Sequence, residues 1–209
     1  MATASTTPPT FGRDGNRMTI AEFRELPDDG IERELLAGVV RVIDEQEAMT
    51  KRGTKHSRSM SRVDSVLERW LEAHPAAEGA ILSGEAGIDL PIVNLAVGAD
   101  VAYFRLEDLP ADFEDDDPPY VEAAPALAVE ILSRSDKAEQ ARNRVKLYLA
   151  AGVAAVWILD PVVKTVTSHG PGRPPRMTAG DDPVTEPDVL PGFEVPASAM
   201  SRLVIRKSH

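Results

Sequence analysis

The stretch Ala126-Leu127-Ala128-Val129-Glu130-Ile131-Leu132 reads as a buried strand interrupted by one carboxylate. With apolar residues on both sides, Glu130 must be protonated, paired with a cation or bound to a metal, because an isolated buried carboxylate is strongly unfavourable. Downstream, Ser133-Arg134-Ser135-Asp136 closes the strand and offers N-cap residues for a long helix reaching Ala151. Gly152 stands at the C′ position of that helix. Ala155-Val156-Trp157-Ile158-Leu159 follows as a second buried strand, ended by Asp160-Pro161. Strand, helix and strand from Leu127 to Leu159 are expected to form one right-handed crossover. The chain is therefore placed in the α/β class, with a central mixed sheet flanked by helices.

Upstream the same oddity recurs. Val97-Gly98-Ala99-Asp100-Val101-Ala102-Tyr103-Phe104 is an apolar strand carrying a lone acid, Asp100. Before it, Thr19-Ile20-Ala21-Glu22 has capping-box spacing and starts a short helix. Glu34 to Ile43 reads as two short strands with a turn near Gly38. From His56 to Ala73, Met60, Val63, Val66, Leu67, Trp70 and Leu71 recur at helical spacing. Ala80-Ile81-Leu82 and Gly87-Ile88-Asp89-Leu90 are separate strand candidates, and Val163 to Ser168 another. The Pro-, Gly- and Asp-rich segment from Gly170 to Pro196 is expected to be loops, with one short strand after it at Leu203-Val204-Ile205. Residues 1–17 are read as a disordered tail and 18–209 as a single domain.

Composition sets limits. With 43% hydrophobic and 27% charged residues, the 209-residue chain has the make-up of a globular protein able to bury a core. It contains no cysteine, which excludes disulfides, thiolate metal sites and cysteine nucleophiles and agrees with a cytoplasmic location. No apolar run is long enough to span a membrane. A formal net charge of -11 argues against simple coating of nucleic acid, although local fields matter more than the sum. Lys51, Arg52, Lys55, Arg58 and Arg62 form one basic stretch; Arg134, Lys137, Arg142, Arg144 and Lys146 form another. Glu114-Asp115-Asp116-Asp117 concentrates the acid.

Two carboxylates on neighbouring strands can hold Mg²⁺, which takes oxygen ligands and keeps several waters. A cation so placed polarises a phosphate and lowers the pKa of an attacking water. The backbone carbonyl of Ile131 is a candidate further ligand. On the following helix, Lys146 is expected beside the face marked by Ala138, Ala141, Val145 and Tyr148 or Leu149, where its long stem can snorkel towards the site. The competing reading makes Glu130 a structural acid paired with Arg142 or Arg144.

Taken in order, Glu34-Leu35-Leu36-Ala37-Gly38, His56, Ala99-Asp100-Val101, Val129-Glu130-Ile131-Leu132-Ser133-Arg134-Ser135, Lys146-Leu147-Tyr148 with Ala151-Gly152-Val153, and Trp157-Ile158-Leu159-Asp160-Pro161 make a pattern. The chain resembles the Uma-type restriction-endonuclease family, within the PD-(D/E)XK nuclease superfamily. The resemblance spans roughly Met18 to Ser168. It implies a restriction-endonuclease-like core, Asp100 and Glu130 as metal ligands, and Glu34 as an additional acid for metal or water. The lysine two residues after the acid is absent, since Leu132 stands there, so its role passes to Lys146. Ala99 replaces the usual proline. The implied cofactor is Mg²⁺, with Mn²⁺ as a substitute; the implied partners are double-stranded DNA and a second copy of the chain as a homodimer. Lys51, Arg52, Lys55, Arg58, Arg62, Arg134, Arg142 and Arg144 are the expected phosphate contacts, with His56 as an accessory residue.

The rival is a nuclease-fold protein that no longer cuts and serves as a binding or assembly module, favoured by the acidic charge. A carboxylate-pair glycosidase would need an aromatic-lined cleft, and aromatics make up only 5% of the chain. Ser133 and Ser135 read as caps rather than nucleophiles, and no Gly-rich phosphate loop precedes a helix.

Overall fold

The computed structural model describes residues 17–43, 53–111, 113, 118, 120–133 and 138–202. The expected disordered tail, apart from Arg17, and the Leu203-Val204-Ile205 strand lie outside these residues. Arg17 itself forms an isolated bridge with Val39.

The chain opens with a short helix, α1 (Ile20–Arg24), whose capping box forms as expected between Thr19 and Glu22. Strands β1 (Arg33–Leu36) and β2 (Val39–Val42) make a hairpin. Its two-residue loop has positive φ at both positions, 52° at Ala37 and 78° at Gly38, the conformation that matches the twist of the flanking strands. At Gly38 a Cβ would come within 2.9 Å of the Asn94 side-chain nitrogen. Asn94 also accepts from Ile20 N and donates to Met18 O, which fixes α1 against the hairpin.

Helix α2 (Thr54–Ala73) buries Val63, Val66, Leu67 and Trp70 on one stripe. The two short strand candidates that follow merge into one long strand, β3 (Gly79–Leu90), paired antiparallel with β4 (Leu95–Arg105). The register slips between Ser83 and Ala86, so that residues 84 and 85 of β3 oppose Asp100 alone. Such a bulge redirects side chains and often sits beside a functional site. Alternation along β4 breaks at the same place: Val97 and Ala99 share a core cluster with Ala102 and Phe104.

Strand β5 (Leu127–Ile131), helix α3 (Ala138–Ala150) and strand β6 (Ala155–Asp160) follow in the expected order, and β5 and β6 pair in parallel, so a crossover joins them. Gly152 has the positive φ, 100°, of a helix C′ residue. Strand β7 (Thr165–His169) continues the sheet. The segment expected to be loops contains three strands instead. β8 (Arg176–Ala179) extends the sheet beyond β7, while β9 (Pro183–Glu186) and β10 (Leu190–Pro196) form a separate antiparallel pair. Their turn residues hid short runs whose buried members, Val184, Leu190 and Phe193, belong to the core beneath α2.

The main sheet runs β2-β1-β4-β5-β6-β7-β8, with β3 on β4. One cluster packs α2 and the β9–β10 pair against Val101, Tyr103, Leu127, Val129 and Trp157. The other packs α3 against Ala102, Phe104, Ala128 and Val156. The sheet is thus sandwiched between helices, with a mixed order of parallel and antiparallel strands. Among the described residues no helix is long and apolar enough to cross a membrane.

One detail of pairing creates the site. β3 occupies one edge of β4 along almost its whole length. On the other edge β1 pairs at Ala96 and β5 begins pairing at Val101. Between these points the edge is shared by neither strand, and Asp100 lies in the split.

Candidate active site

A cleft of about 220 Å³ opens at this split. Glu34, His56, Asp100, Glu130, Ile131 and Arg144 line it. Each comes from a different constraint. Glu34 is the β1 residue opposite Arg41 in the hairpin register, and Arg41 donates to it at 3.1 Å. Asp100 is fixed by the strand it separates, accepting from the Ile131 backbone N–H at 2.7 Å. His56, in the first turn of α2, places Nε2 3.2 Å from the other Asp100 oxygen. Asp100, Glu34 and His56 are all buried.

Glu130 projects from β5 towards α3 with its neighbour Ala128, and its side chain keeps 15% exposure to the cleft. The Tyr148 hydroxyl donates to it at 2.8 Å. Arg144, one turn earlier on the same helix face, lies 3.4 Å away through Nη1. Its Nη2 donates to both oxygens of Glu34, at 2.7 and 2.8 Å. A buried carboxylate, Glu34, and a half-buried one, Glu130, thus share one guanidinium, whose planar fork suits two acceptors better than an ammonium would.

The electrostatics follow from burial. Burial raises the Glu130 carboxyl to about 7; Arg144 opposes the rise, Asp100 and Glu34 reinforce it, and the Tyr148 hydrogen bond opposes it. Burial works against the charge on Arg144, but Glu130 and Glu34 outweigh it and hold the guanidinium well above its ordinary pKa. Burial and the neighbouring Glu130 push the Tyr148 hydroxyl well up, so it remains a donor.

Of the residues expected from sequence, the structure brings Glu34, Asp100, Glu130 and His56 together, and Arg144 with them. Lys146 is placed elsewhere: it is exposed and does not line the cleft. Residues two apart on a helix point about 200° from one another. The face that carries Tyr148 to Glu130 therefore carries Arg144 there too and turns Lys146 to solvent. The other expected phosphate contacts are scattered. Lys55 and Arg142 are exposed, Arg58 is half-buried, and Arg62 donates to the Arg202 carbonyl at 3.3 Å. None of these four lines the cleft. Lys51, Arg52 and Arg134 lie outside the described residues.

Four residues given no role from the sequence stand at or beside the cleft: Arg41 and Arg24 line it, Tyr148 bonds to Glu130, and Asp89 pairs with Arg24. Asp89 carried the signal already used for Glu130 and Asp100, an acid inside an apolar strand. It is 1% exposed and pairs with Arg24. Arg41 was legible from the two-residue turn, which sets it opposite Glu34.

Among the described residues no three of His, Cys, Asp and Glu converge to hold a metal ion. The donors suited to a hard cation are the carboxylates of Asp100 and Glu130 with the Ile131 carbonyl. Mg²⁺ can be held by one or two carboxylates because it retains waters. Glu34 fits less well, since both its oxygens face Arg144.

The family model of Uma2, described as "Putative restriction endonuclease", matches residues 20–199. No curated protein matches the chain. A solved structure from Anabaena variabilis ATCC 29413, titled a "putative nuclease belonging to DUF820", is similar over 88% of this chain and 97% of that one. Its TM-score is 0.73 at 19% identity, a likeness of fold.

Proposed function

Since the chain belongs to the Uma2 restriction-endonuclease family, we propose that it is a divalent-cation-dependent endonuclease that hydrolyses phosphodiester bonds in DNA, with its centre at the split beside β4. The observation that carries this reading is the meeting of Asp100 and Glu130 in a partly open cleft, tied through the Ile131 backbone. In this reading Asp100 and Glu130 hold the cation, with the Ile131 carbonyl beside them. When bound, the cation supplies charge to the phosphate and acidifies a water.

The protein's own residues do the rest. Glu34 and Arg41 orient Arg144, and Arg144 stabilises negative charge developing on the phosphate. An arginine stays protonated, so Arg144 acts by charge and hydrogen bonding rather than as a base. Tyr148 holds Glu130 in place, and His56 does the same for Asp100. Duplex DNA as substrate and a homodimer with one site for each strand are part of the proposal.

One observation favours a second reading. Arg144 already pairs with both Glu34 and Glu130, which is what a nuclease-fold binding module without cleavage would retain. Cleavage of plasmid and single-stranded DNA with Mg²⁺ or Mn²⁺, beside calorimetry of either ion, separates the two. Cutting by the wild type and loss of ion binding in Glu130→Ala support the enzyme. If no nucleic acid is cut and no ion binds, the enzyme reading is wrong and the module stands.

A further inference from the structure

Away from the carboxylates, the same cleft has a wall built around Arg24 at the end of α1. Its Nε and Nη2 both donate to Asp89 on β3, in a two-pronged pair whose Nε bond is 3.0 Å. Asp89 is 1% exposed, and its backbone N–H donates to Val121 O at 2.9 Å. The guanidinium also lies over the Tyr120 ring, 3.7 Å from its centroid. Two of its faces are therefore fixed, one by a buried charge and one by an aromatic ring. The remaining nitrogen, Nη1, has no hydrogen-bond partner among the described residues, and the side chain stays 31% exposed.

A structural clasp would be satisfied by burying the arginine with its partner. Here the carboxylate is buried and the guanidinium edge is left at the cleft. Fixing a guanidinium in advance reduces the ordering cost of the next bond it makes. The ligand such an edge recognises is a phosphate oxygen, and the cleft it borders contains the candidate phosphodiester centre.

We propose that Arg24, held by Asp89 and Tyr120, is a contact for the nucleic-acid backbone at the wall of the cleft. This rests on the endonuclease reading above. Arg24 positions the strand that enters the cleft and takes no part in bond breaking. It carries part of the task that the exposed basic residues of α2 and α3 were expected to perform.

The test is binding of a short fluorescein-labelled DNA duplex, followed by anisotropy over a range of salt with Ca²⁺ in place of Mg²⁺. Neutralising a phosphate contact lowers the slope of log K against log[salt] by about one. Arg24→Gln is expected to show that loss, and Arg24→Lys to keep the slope. Because Arg24→Gln strands a buried carboxylate, the double variant Arg24→Gln with Asp89→Asn removes both charges and carries the same readout in a stable fold. A stable double variant with the wild-type slope overturns the assignment and leaves Arg24 a clasp. If the wild type cuts DNA while no Arg24 variant changes the slope, only this inference falls. If the wild type binds no DNA, the inference falls together with the endonuclease reading.

Discussion

Nη2 of Arg144 on α3 holds both oxygens of Glu34 on β1, at 2.7 and 2.8 Å, across 110 positions of sequence. The bond ties α3 to β1, one of the two strands that border the split beside β4, and Glu130 on the other, β5, lies within reach of the same guanidinium. Removing one partner of a buried charge network leaves the others uncompensated. Arg144→Ala is therefore expected to cost about 3–5 kcal/mol of stability and to abolish cleavage. Arg144→Lys keeps the charge without the planar fork and should recover part of both. Urea unfolding with cleavage assays checks the pair; equal stability of Arg144→Ala and wild type would contradict it.

Lys146 provides the opposite expectation. It is exposed on α3, turned from the cleft. Lys146→Ala should change stability by no more than about 0.5 kcal/mol and leave cleavage within the error of the wild type. A loss comparable with that of Arg144→Ala would show that the helix face has been misassigned.

The raised pKa of Glu130 makes stability depend on pH. The folded value of about 7 stands above the unfolded 4.5, so the protonated carboxyl favours the fold. Its contribution is fully present below pH 4.5 and is lost as pH rises through about 7. In chelator-containing buffer, the stability of wild type minus that of Glu130→Gln should fall across this window. One proton limits the fall to about 1.4 kcal/mol per pH unit. A difference that does not vary with pH would mean Glu130 is ionised throughout.

Another buried carboxylate lies outside the cleft. Glu186 on β9 accepts from Trp157 Nε1 at 3.2 Å, from Ser168 Oγ, and from Arg173 Nη2 at 2.5 Å. Glu186→Ala strands a buried indole N–H and a hydroxyl, and should cost about 3 kcal/mol, towards the lower end for a broken buried pair because Arg173 is 36% exposed. Glu186→Gln, which keeps an acceptor, should cost less. Thermal unfolding separates the two, and metal binding should be the same in both.

Local chemistry made much of the fold readable. The lone acids at Glu130 and Asp100, the capping box at Thr19, the hairpin at Gly38 and the crossover through Gly152 all depend on neighbours a few residues apart, and each is present in the structure. β8, β9 and β10 are not legible in the sequence because their apolar residues are too few between turns to establish a period; packing beneath α2 and pairing with β7 supply what pattern lacks.

By itself the sequence determined the α/β class, the strand–helix–strand frame and the presence of acids that a buried strand cannot tolerate alone. Only the tertiary structure decided what they meet. Two strands share one edge of β4 and leave Asp100 in the split, and the docking of α3 sets Arg144 and Tyr148, rather than Lys146, against Glu34 and Glu130. Chain periodicity encodes the direction of a side chain relative to its own element. The partner at the end of that side chain depends on how separate elements dock, a matter of long-range packing that no local spacing records.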